Sequence, residues 1–311
     1  MQKFVLAGFS ITCMDWKSKK IRALIEAALV EDRAAQDITT ALTIDRRLRA
    51  TATIVARQPC LVAGLGAIPI FLEVFAELAD KAGAAPLGRF TVISHPEIFD
   101  GVKVKKGQPI AVIRANAAAL LSTERVMLNL LQRMSGIATL TNEFVRAVAG
   151  SGTRVLDTRK TIPGLRALDK YAVCCGGGVN HRLDLRDGIQ IKSNHVALGG
   201  GIAKTIASAL KFRKGTQKVQ VEVHNQVELD QAIAAGAEAL LLDNMTPAAV
   251  KRAVKQIRAV RPGIPVEAAG SVTFDNVKQY AKAGVDFVSV GALTASAVTV
   301  DLAMMIAVDA G

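Results

Sequence analysis

The second half of the chain predicts a parallel α/β barrel, and two observations lead to that fold class. From Thr153 onwards, short apolar runs typical of buried strands alternate with segments whose apolar residues recur at helical spacing. Two of these units resemble each other, because residues 234–242 and 282–290 each contain a helix end, a glycine stop and an apolar strand. Repeated strand and helix units favour parallel strands enclosed by helices.

The elements of this half follow from the same patterns. The predicted strands are 154–156, 189–191, 219–223, 239–242, 265–267 and 287–290. The predicted helices between the later strands are 227–235, 247–260 and 274–283. These six strands leave room for one or two more, so the pattern alone leaves the closure of the barrel open.

The first half of the chain has a mixed pattern. Helical spacing predicts helices at 21–31 and 67–78, and a partly β-branched run predicts a strand within 48–63. Residues 101–113 predict a hairpin of two strands around a glycine turn. A long helix is predicted from about Ser122, with Ser122 or Thr123 as its cap. Glu31, Asp32 and Asp37 could cap a helix, pair with cations or contact a ligand, and capping is the commonest of these outcomes.

Composition narrows the classes of function. The chain has 311 residues, of which 50% are apolar and 21% charged, so it can bury a core and is not disordered. The net charge of +12 favours anionic ligands. An aromatic fraction of 4% and the lack of a basic helical stripe argue against nucleic acid. Four cysteines without zinc spacing indicate reduced thiols, and no run is long enough to span a membrane, so we expect a cytoplasmic protein.

Cations follow the first two predicted strands of the barrel, at the end where such barrels form their active sites. Arg159 and Lys160 come after the first strand and Lys192 after the second, and His181 and Arg182 lie in the loop between them. Because arginine matches the geometry of carboxylates and phosphates, these residues indicate a ligand with several negative charges.

Carboxylates and glycine turns follow the later strands. Glu222 and Asp243 lie at the ends of the middle strands, where they could hold Mg²⁺ or sugar hydroxyls. The turns at 269–271 and 290–292 offer bare backbone N–H groups suited to a phosphate. His195 and His224 are expected to be structural. A ligand that combines a sugar, phosphates and carboxylates fits the whole pattern.

Residues 158–182 read TRKTIPGLRALDKYAVCCGGGVNHR and are followed by IKSNH, EV, LLDN, AG and VGALT. This series resembles the quinolinate phosphoribosyltransferase family, and the resemblance covers nearly the whole chain. It implies an α/β fold with an N-terminal α/β sandwich domain at residues 1–128. The barrel domain at 129–311 is then an incomplete parallel α/β barrel of about seven strands, whose last helix is expected to pack back on the N-terminal domain.

The resemblance also implies a reaction. Phosphoribosyl would pass from phosphoribosyl pyrophosphate to quinolinate with decarboxylation, giving nicotinate mononucleotide, pyrophosphate and CO₂ in de novo NAD synthesis, with Mg²⁺ as cofactor. Family members are homodimers or larger, so Arg125 is expected to reach the partner's site. Neither nucleic acid nor a membrane is an expected partner.

By motif, the resemblance assigns catalytic roles to Lys160, near the pyrophosphate, and to Glu222 and Asp243, which serve the ribose hydroxyls and Mg²⁺. The implied grip on the quinolinate carboxylates comes from Arg159, His181, Arg182 and Lys192. The implied seat of the 5′-phosphate is the backbone of the two turns at 269–271 and 290–292. The whole substrate-binding set that the resemblance implies is Arg125, Thr158, Arg159, Lys160, His181, Arg182, Lys192, Glu222, Asp243, Ala269, Gly270, Ser271, Val290, Gly291 and Ala292.

Three positions depart from the family's pattern. Ser193, His224 and Ala269 stand where the family usually has Asp, Glu and Ser. The departures bear on acceptor preference rather than on reaction class. Two alternatives follow, namely a related phosphoribosyltransferase with another acceptor, such as the paralogue associated with molybdenum transport operons, and a non-catalytic anion-binding protein. The second alternative has no use for Glu222 and Asp243, because carboxylates repel an anion unless a cation is present.

Overall fold

The computed structural model of the chain describes residues 14–83, 88–93 and 95–309. The helices are α1 (Lys19–Glu31), α2 (Ile38–Thr43), α3 (Ala67–Lys81), α4 (Ala117–Ala147), α5 (Arg166–Cys175), α6 (Ser193–Gly199), α7 (Ile202–Phe212), α8 (Gln226–Ala234), α9 (Pro247–Val260), α10 (Val277–Lys282) and α11 (Ala292–Ala295). The strands are β1 (Arg49–Ala56), β2 (Cys60–Leu61), β3 (Thr91–Ile93), β4 (Lys103–Val104), β5 (Pro109–Asn116), β6 (Arg154–Leu156), β7 (Ile189–Ile191), β8 (Val219–Val223), β9 (Ala239–Asp243), β10 (Val266–Ala269), β11 (Phe287–Ser289) and β12 (Leu302–Val308).

One compact unit comprises the described residues of 14–140, 163–176 and 297–309. Its main sheet has the antiparallel order β12-β1-β5-β3. Alternate residues of β1 are buried, as expected of a strand with one face on a core. The last helix expected near the chain's end is instead strand β12, which pairs with β1 from Leu302 opposite Ala56 to Val308 opposite Ala50.

Two predictions for this unit are wrong in detail. The expected hairpin at 101–113 does not form, since β4 pairs with β2 while β5 pairs with β1 and β3. Helix α4 begins at Ala117, because the side chain of Asn116 accepts a hydrogen bond from the N–H of Ala118 at 2.9 Å. The Ser122 hydroxyl does not cap α4 and donates to Asp37 at 3.0 Å. Asp37 caps α2, as predicted.

The described part of the second compact unit comprises Thr141–Ile162 and Gly177–Ser296, and its sheet is parallel throughout. The strand order is β6-β11-β10-β9-β8-β7, and a single parallel bridge joins Leu156 of β6 to Val179. Within the described residues, no pairing joins Val179 to β7, so the loop between them spans an open side. The prediction of an incomplete parallel barrel is confirmed, with six strands and one bridging residue.

The parallel sheet determines where the functional residues gather. Its strands are apolar and buried, as in β9, where the first four residues are inaccessible to solvent. Because parallel strands end at the same edge, the segments after the six strands meet there. No helix in the parts of the chain that the structure describes is long and apolar enough to cross a bilayer.

Candidate active site

A cavity of about 510 Å³ opens at the carboxyl ends of the parallel strands. Ligand sites for small molecules commonly enclose roughly 300–1,000 Å³. The cavity brings together most of the predicted substrate-binding set, namely Thr158, Arg159, Lys160, His181, Arg182, Lys192, Glu222, Asp243, Ala269, Gly270 and Gly291. Gln190, Leu241, Asn244, Glu267 and Ser289 also line it.

Two arginines on this lining, the half-buried Arg159 and the buried Arg182, lack part of their hydrogen bonding. The Nε atoms of Arg159 and Arg182 are buried without a partner in the described structure. Arg182 is 6% exposed, and its Nη1 donates to the carbonyl of Gly188 at 3.0 Å. Burial lowers the pKa of Arg182, and the charge of Arg159 lowers it further. Two neighbouring guanidinium groups, each with a buried Nε donor that has no partner, are arranged to receive an anion.

His181 is held from several sides. The fully buried carboxylate of Asp157 accepts from the backbone N–H of His181 at 2.7 Å and from the side-chain amide of Asn180 at 2.7 Å. The ring Nδ1 of His181 accepts from the N–H of Arg182 at 2.8 Å, which places the ring proton on Nε2. That Nε2 lies 3.5 Å from a carboxylate oxygen of Glu267. Both ring nitrogens thus face protein groups, and direct contact of His181 with a ligand carboxylate stays a prediction.

Glu267 is a site residue that the sequence analysis missed. It lies in β10, is 3% exposed, and accepts hydrogen bonds from Gln220 at 2.7 Å and from Ser289. Burial alone would raise its pKa, but hydrogen bonds from His181, Ser289 and Gln220 hold the pKa of Glu267 below its usual value. The signal for this residue was an acidic side chain within an otherwise apolar buried strand.

The two predicted carboxylates are neighbours across the sheet. Glu222 lies in β8 and Asp243 ends β9, and the Nζ of Lys192 is 3.8 Å from a Glu222 oxygen. His224, which the sequence analysis expected to be structural, joins them. Each of these three residues, Glu222, His224 and Asp243, offers one possible ligand atom, and the three atoms lie within 4.8 Å of one another. These two carboxylates supply the oxygen donors that Mg²⁺ prefers.

The turn after β11 is arranged around Lys160. Gly291 leaves room for the stem of this lysine, since a Cβ there would lie 2.9 Å from the Lys160 Cδ. The backbone of Lys160 is held by Thr294, whose hydroxyl donates to the Lys160 carbonyl at 2.8 Å. The N–H of Val290 donates to the Leu156 carbonyl at 3.0 Å, so it is not free for a phosphate. The predicted phosphate seat in this turn therefore depends on the N–H groups of the next two residues.

The turn after β10 requires a glycine. Gly270 has φ of +92°, and a Cβ there would lie 2.3 Å from the side-chain oxygen of Asn244. The hydroxyl of Ser271, which does not line the cavity, donates to that same oxygen at 2.9 Å. Val290 and Ala292 also do not line the cavity, and Arg125 lies exposed on α4 in the other compact unit.

Replacing Gly270 with alanine should lower the free energy of unfolding by about 1–3 kcal/mol, because the residue would be strained and would displace Asn244. Thermal and urea unfolding would measure the change. Gly263→Ala is the matched control, since a Cβ there meets no atom within 4 Å and its φ is not positive. Equal stability of the two variants would contradict the expected strain.

Comparisons with known proteins agree with this geometry. Residues 37–135 match the model of the quinolinate phosphoribosyl transferase N-terminal domain, and residues 137–305 match that of its C-terminal domain. A nicotinate-nucleotide pyrophosphorylase (carboxylating) from Mycobacterium leprae is 41% identical over 288 residues, covering 91% of this chain and 96% of that protein. The quinolinate phosphoribosyltransferase (decarboxylating) 1b of Nicotiana tabacum is 34% identical over 303 residues, covering 92% and 82%.

A solved structure shows the same fold. The nicotinate-nucleotide pyrophosphorylase of Francisella tularensis superposes with a TM-score of 0.83 at 35% identity, covering 96% of this chain and 99% of that one. The family matches cover both halves of the sequence, and the relatives match nearly from end to end. The chain therefore belongs to the quinolinate phosphoribosyl transferase family.

Proposed function

We propose that the chain transfers phosphoribosyl from phosphoribosyl pyrophosphate to quinolinate with decarboxylation, giving nicotinate mononucleotide, pyrophosphate and CO₂ in de novo NAD synthesis. The observation that carries this proposal is the joint lining of one cavity. The guanidinium groups of Arg159 and Arg182, whose buried Nε donors have no partner, suit a dicarboxylate, and Glu222 and Asp243 suit a sugar that becomes cationic.

Quinolinate is held by the cations of this cavity. The forked guanidinium groups of Arg159 and Arg182 each match a carboxylate in two hydrogen bonds, and Lys192 adds a movable point charge. His181 and Asp157 fix the backbone from which Arg182 extends. This arrangement orients the ring nitrogen of quinolinate toward the sugar, and much of the expected rate enhancement comes from such positioning.

The bond between the sugar and pyrophosphate breaks through an oxocarbenium-like state. Glu222 and Asp243 stabilise the positive charge on the sugar and hold its hydroxyls, and the Lys160 ammonium stabilises the departing pyrophosphate. The same two carboxylates are the proposed ligands of Mg²⁺, which when bound supplies further charge stabilisation to the pyrophosphate. After transfer, the positive ring nitrogen stabilises the negative charge that the loss of CO₂ leaves on a ring carbon, and that carbon then takes up a proton from water to give nicotinate mononucleotide.

The test is release of labelled CO₂ from quinolinate by the full-length protein, with and without phosphoribosyl pyrophosphate and Mg²⁺. We expect release only when all three are present, with nicotinate mononucleotide as the product. Binding of phosphoribosyl pyrophosphate without release of CO₂ would indicate a phosphoribosyltransferase with another acceptor. Binding of quinolinate with no turnover under any condition would indicate a non-catalytic anion-binding protein.

The proposal includes a homodimer or larger homo-oligomer in which Arg125 completes the partner's site. Arg125 is exposed on α4, as such a role requires. We expect Arg125→Ala and Lys160→Ala each to abolish activity alone. When the two variants are refolded together, half of the dimers are mixed, and one of the two sites in each mixed dimer receives both residues intact. The mixture should therefore recover about a quarter of wild-type activity. Activity that stays absent in the mixture, with dimers present by gel filtration, would contradict a shared site.

The proposal also places the enzyme in the cytoplasm. The thiols of Cys60 and Cys175 are buried and form no disulfide within the described residues. Free thiols are usual where the medium is reducing, and disulfides are usual in secreted proteins.

A further inference from the structure

His224 is oriented toward the two predicted metal ligands. Its Nε2 lies 3.6 Å from an oxygen of Glu222 and 3.5 Å from an oxygen of Asp243. Residues 222 and 224 are two apart at the end of β8, so their side chains point to the same side of the sheet. The imidazole is thus part of the carboxylate cluster at the edge of the cavity rather than part of the core.

The opposite side of the ring is fixed by Glu228. A Glu228 oxygen lies 3.1 Å from the His224 Nδ1 and also accepts from the backbone N–H of His224 at 2.8 Å. The side-chain amide of Asn225 donates to the other Glu228 oxygen at 3.0 Å, so both oxygens of this carboxylate are held in place. A carboxylate fixed beside Nδ1 orients the ring so that Nε2 faces the cluster.

Asp243 has a comparable support. The side-chain amide of Asn244 donates to an Asp243 oxygen at 2.6 Å, and Asn244 adopts a left-handed backbone with φ of +53° that places it beside this carboxylate. Histidines and carboxylates that bind metals are commonly held by hydrogen bonds of this kind, which orient the ligand atoms. Two of the three members of the cluster thus have a partner that fixes their direction.

We propose that Glu222, His224 and Asp243 form a three-residue site that prefers a divalent first-row transition-metal ion, such as Mn²⁺, over Mg²⁺. This inference builds on the proposed function, in which the two carboxylates hold Mg²⁺. A site of carboxylates alone suits Mg²⁺ and Mn²⁺, whereas an imidazole nitrogen favours transition metals. His224 is therefore the residue that sets the ion preference of this chain.

Lys192 is the remaining charge at the cluster, and it is compatible with a bound cation. Its Nζ is 3.8 Å from Glu222, but its side chain is 49% exposed on a flexible stem. A lysine of this kind can turn toward solvent or toward an anionic ligand at little cost. Its displacement leaves the three ligand atoms facing one another.

The experiment measures binding of Mn²⁺ and of Mg²⁺ to the metal-free full-length protein by calorimetry without substrates. Pulsed electron paramagnetic resonance then detects whether a histidine nitrogen is bound to Mn²⁺. The informative variant is His224→Glu, which keeps three ligands and changes only the nitrogen to oxygen. The side chain of His224 is 35% exposed, so this variant should fold, and circular dichroism would check that. His95→Ala is the matched control, since His95 is exposed in the other compact unit.

For the wild type and His95→Ala, we expect one Mn²⁺ per chain, a nitrogen coupling in the resonance spectrum, and tighter binding of Mn²⁺ than of Mg²⁺. In His224→Glu the coupling should vanish and the preference for Mn²⁺ should fall at least about tenfold, the smallest effect usual for loss of a residue that supports a metal ligand. Glu228→Gln should weaken Mn²⁺ binding roughly 10–100-fold while His224 remains.

Absence of nitrogen coupling in the wild type, or an unchanged ion preference in His224→Glu, would overturn the proposal. Because the binding measurements use no substrate, they are independent of the release of CO₂. Failure of CO₂ release with normal Mn²⁺ binding would contradict the proposed function alone. Normal CO₂ release with Mg²⁺ and no nitrogen bound to Mn²⁺ would contradict this inference alone.

Discussion

Replacing Arg182 with alanine should weaken the capture of quinolinate by about 2–5 kcal/mol, which is roughly a 30- to 5,000-fold rise in Kd. The reason is burial, since Arg182 is 6% exposed and its free Nε is directed away from water. A carboxylate of quinolinate placed beside Arg159 without Arg182 would be left desolvated and incompletely paired. Equilibrium binding of quinolinate would measure the loss, together with kcat and KM.

Two variants sharpen this prediction. Arg182→Lys keeps the charge and loses the planar fork, so it should recover only part of the affinity. Arg186→Ala is the matched control, because Arg186 is an exposed arginine of the same loop, and it should bind quinolinate as the wild type does. Binding of phosphoribosyl pyrophosphate should change little in all three variants. An Arg182→Ala protein with unchanged affinity for quinolinate would remove Arg182 from the site.

Replacing Glu267 with alanine should lower the free energy of unfolding by about 3–5 kcal/mol, because it leaves several buried donors without an acceptor and opens a cavity. The loss leaves the Gln220 amide, the Ser289 hydroxyl and the His181 ring without their common acceptor. Because Glu267 is the group that orients the Nε2 of His181, the KM for quinolinate should also rise. Urea unfolding and steady-state kinetics would measure the two effects.

The isosteric variant Glu267→Gln separates charge from packing and should lose less stability than Glu267→Ala. The folded pKa of Glu267 lies below its unfolded value, so its charge adds stability above the unfolded pKa, and this stability disappears as the pH falls through the folded pKa. The stability difference between wild type and Glu267→Gln should therefore shrink as the pH falls below about 4. A difference that stays constant to lower pH would show that the charge of Glu267 adds nothing.

Much of the barrel was predictable because its signals are local. Each strand is a short apolar run bounded by a glycine stop or a polar turn, and the six predicted strands correspond to β6 through β11. The convergence of Arg159, Lys192, Glu222 and Asp243 was predictable for a related reason. Parallel strands end at one edge, so a charge placed after each strand is directed to the same cavity wherever the strands lie in the sheet.

The end of the chain was not predictable from its own residues. Leu302–Val308 is a continuous apolar run, and periodicity alone cannot distinguish a buried strand from a helix in such a segment. Its structure is decided by β1, about 250 residues earlier, whose edge provides its hydrogen-bond partners. The predicted hairpin at 101–113 was wrong for the same reason, since the partners of β4 and β5 are β2 and β1 rather than each other.

By itself, the sequence determined the parallel barrel, the family and the residues that follow each strand, because these depend on short-range patterns and on the order of residues. Only the tertiary structure decided which side chains share a hydrogen bond. Glu267 receives donors from β8, β11 and the loop before β7, and His224 is fixed between Glu228 and the carboxylates of β8 and β9. Burial and pairing of a polar group depend on neighbours distant in the chain, and packing brings those neighbours together.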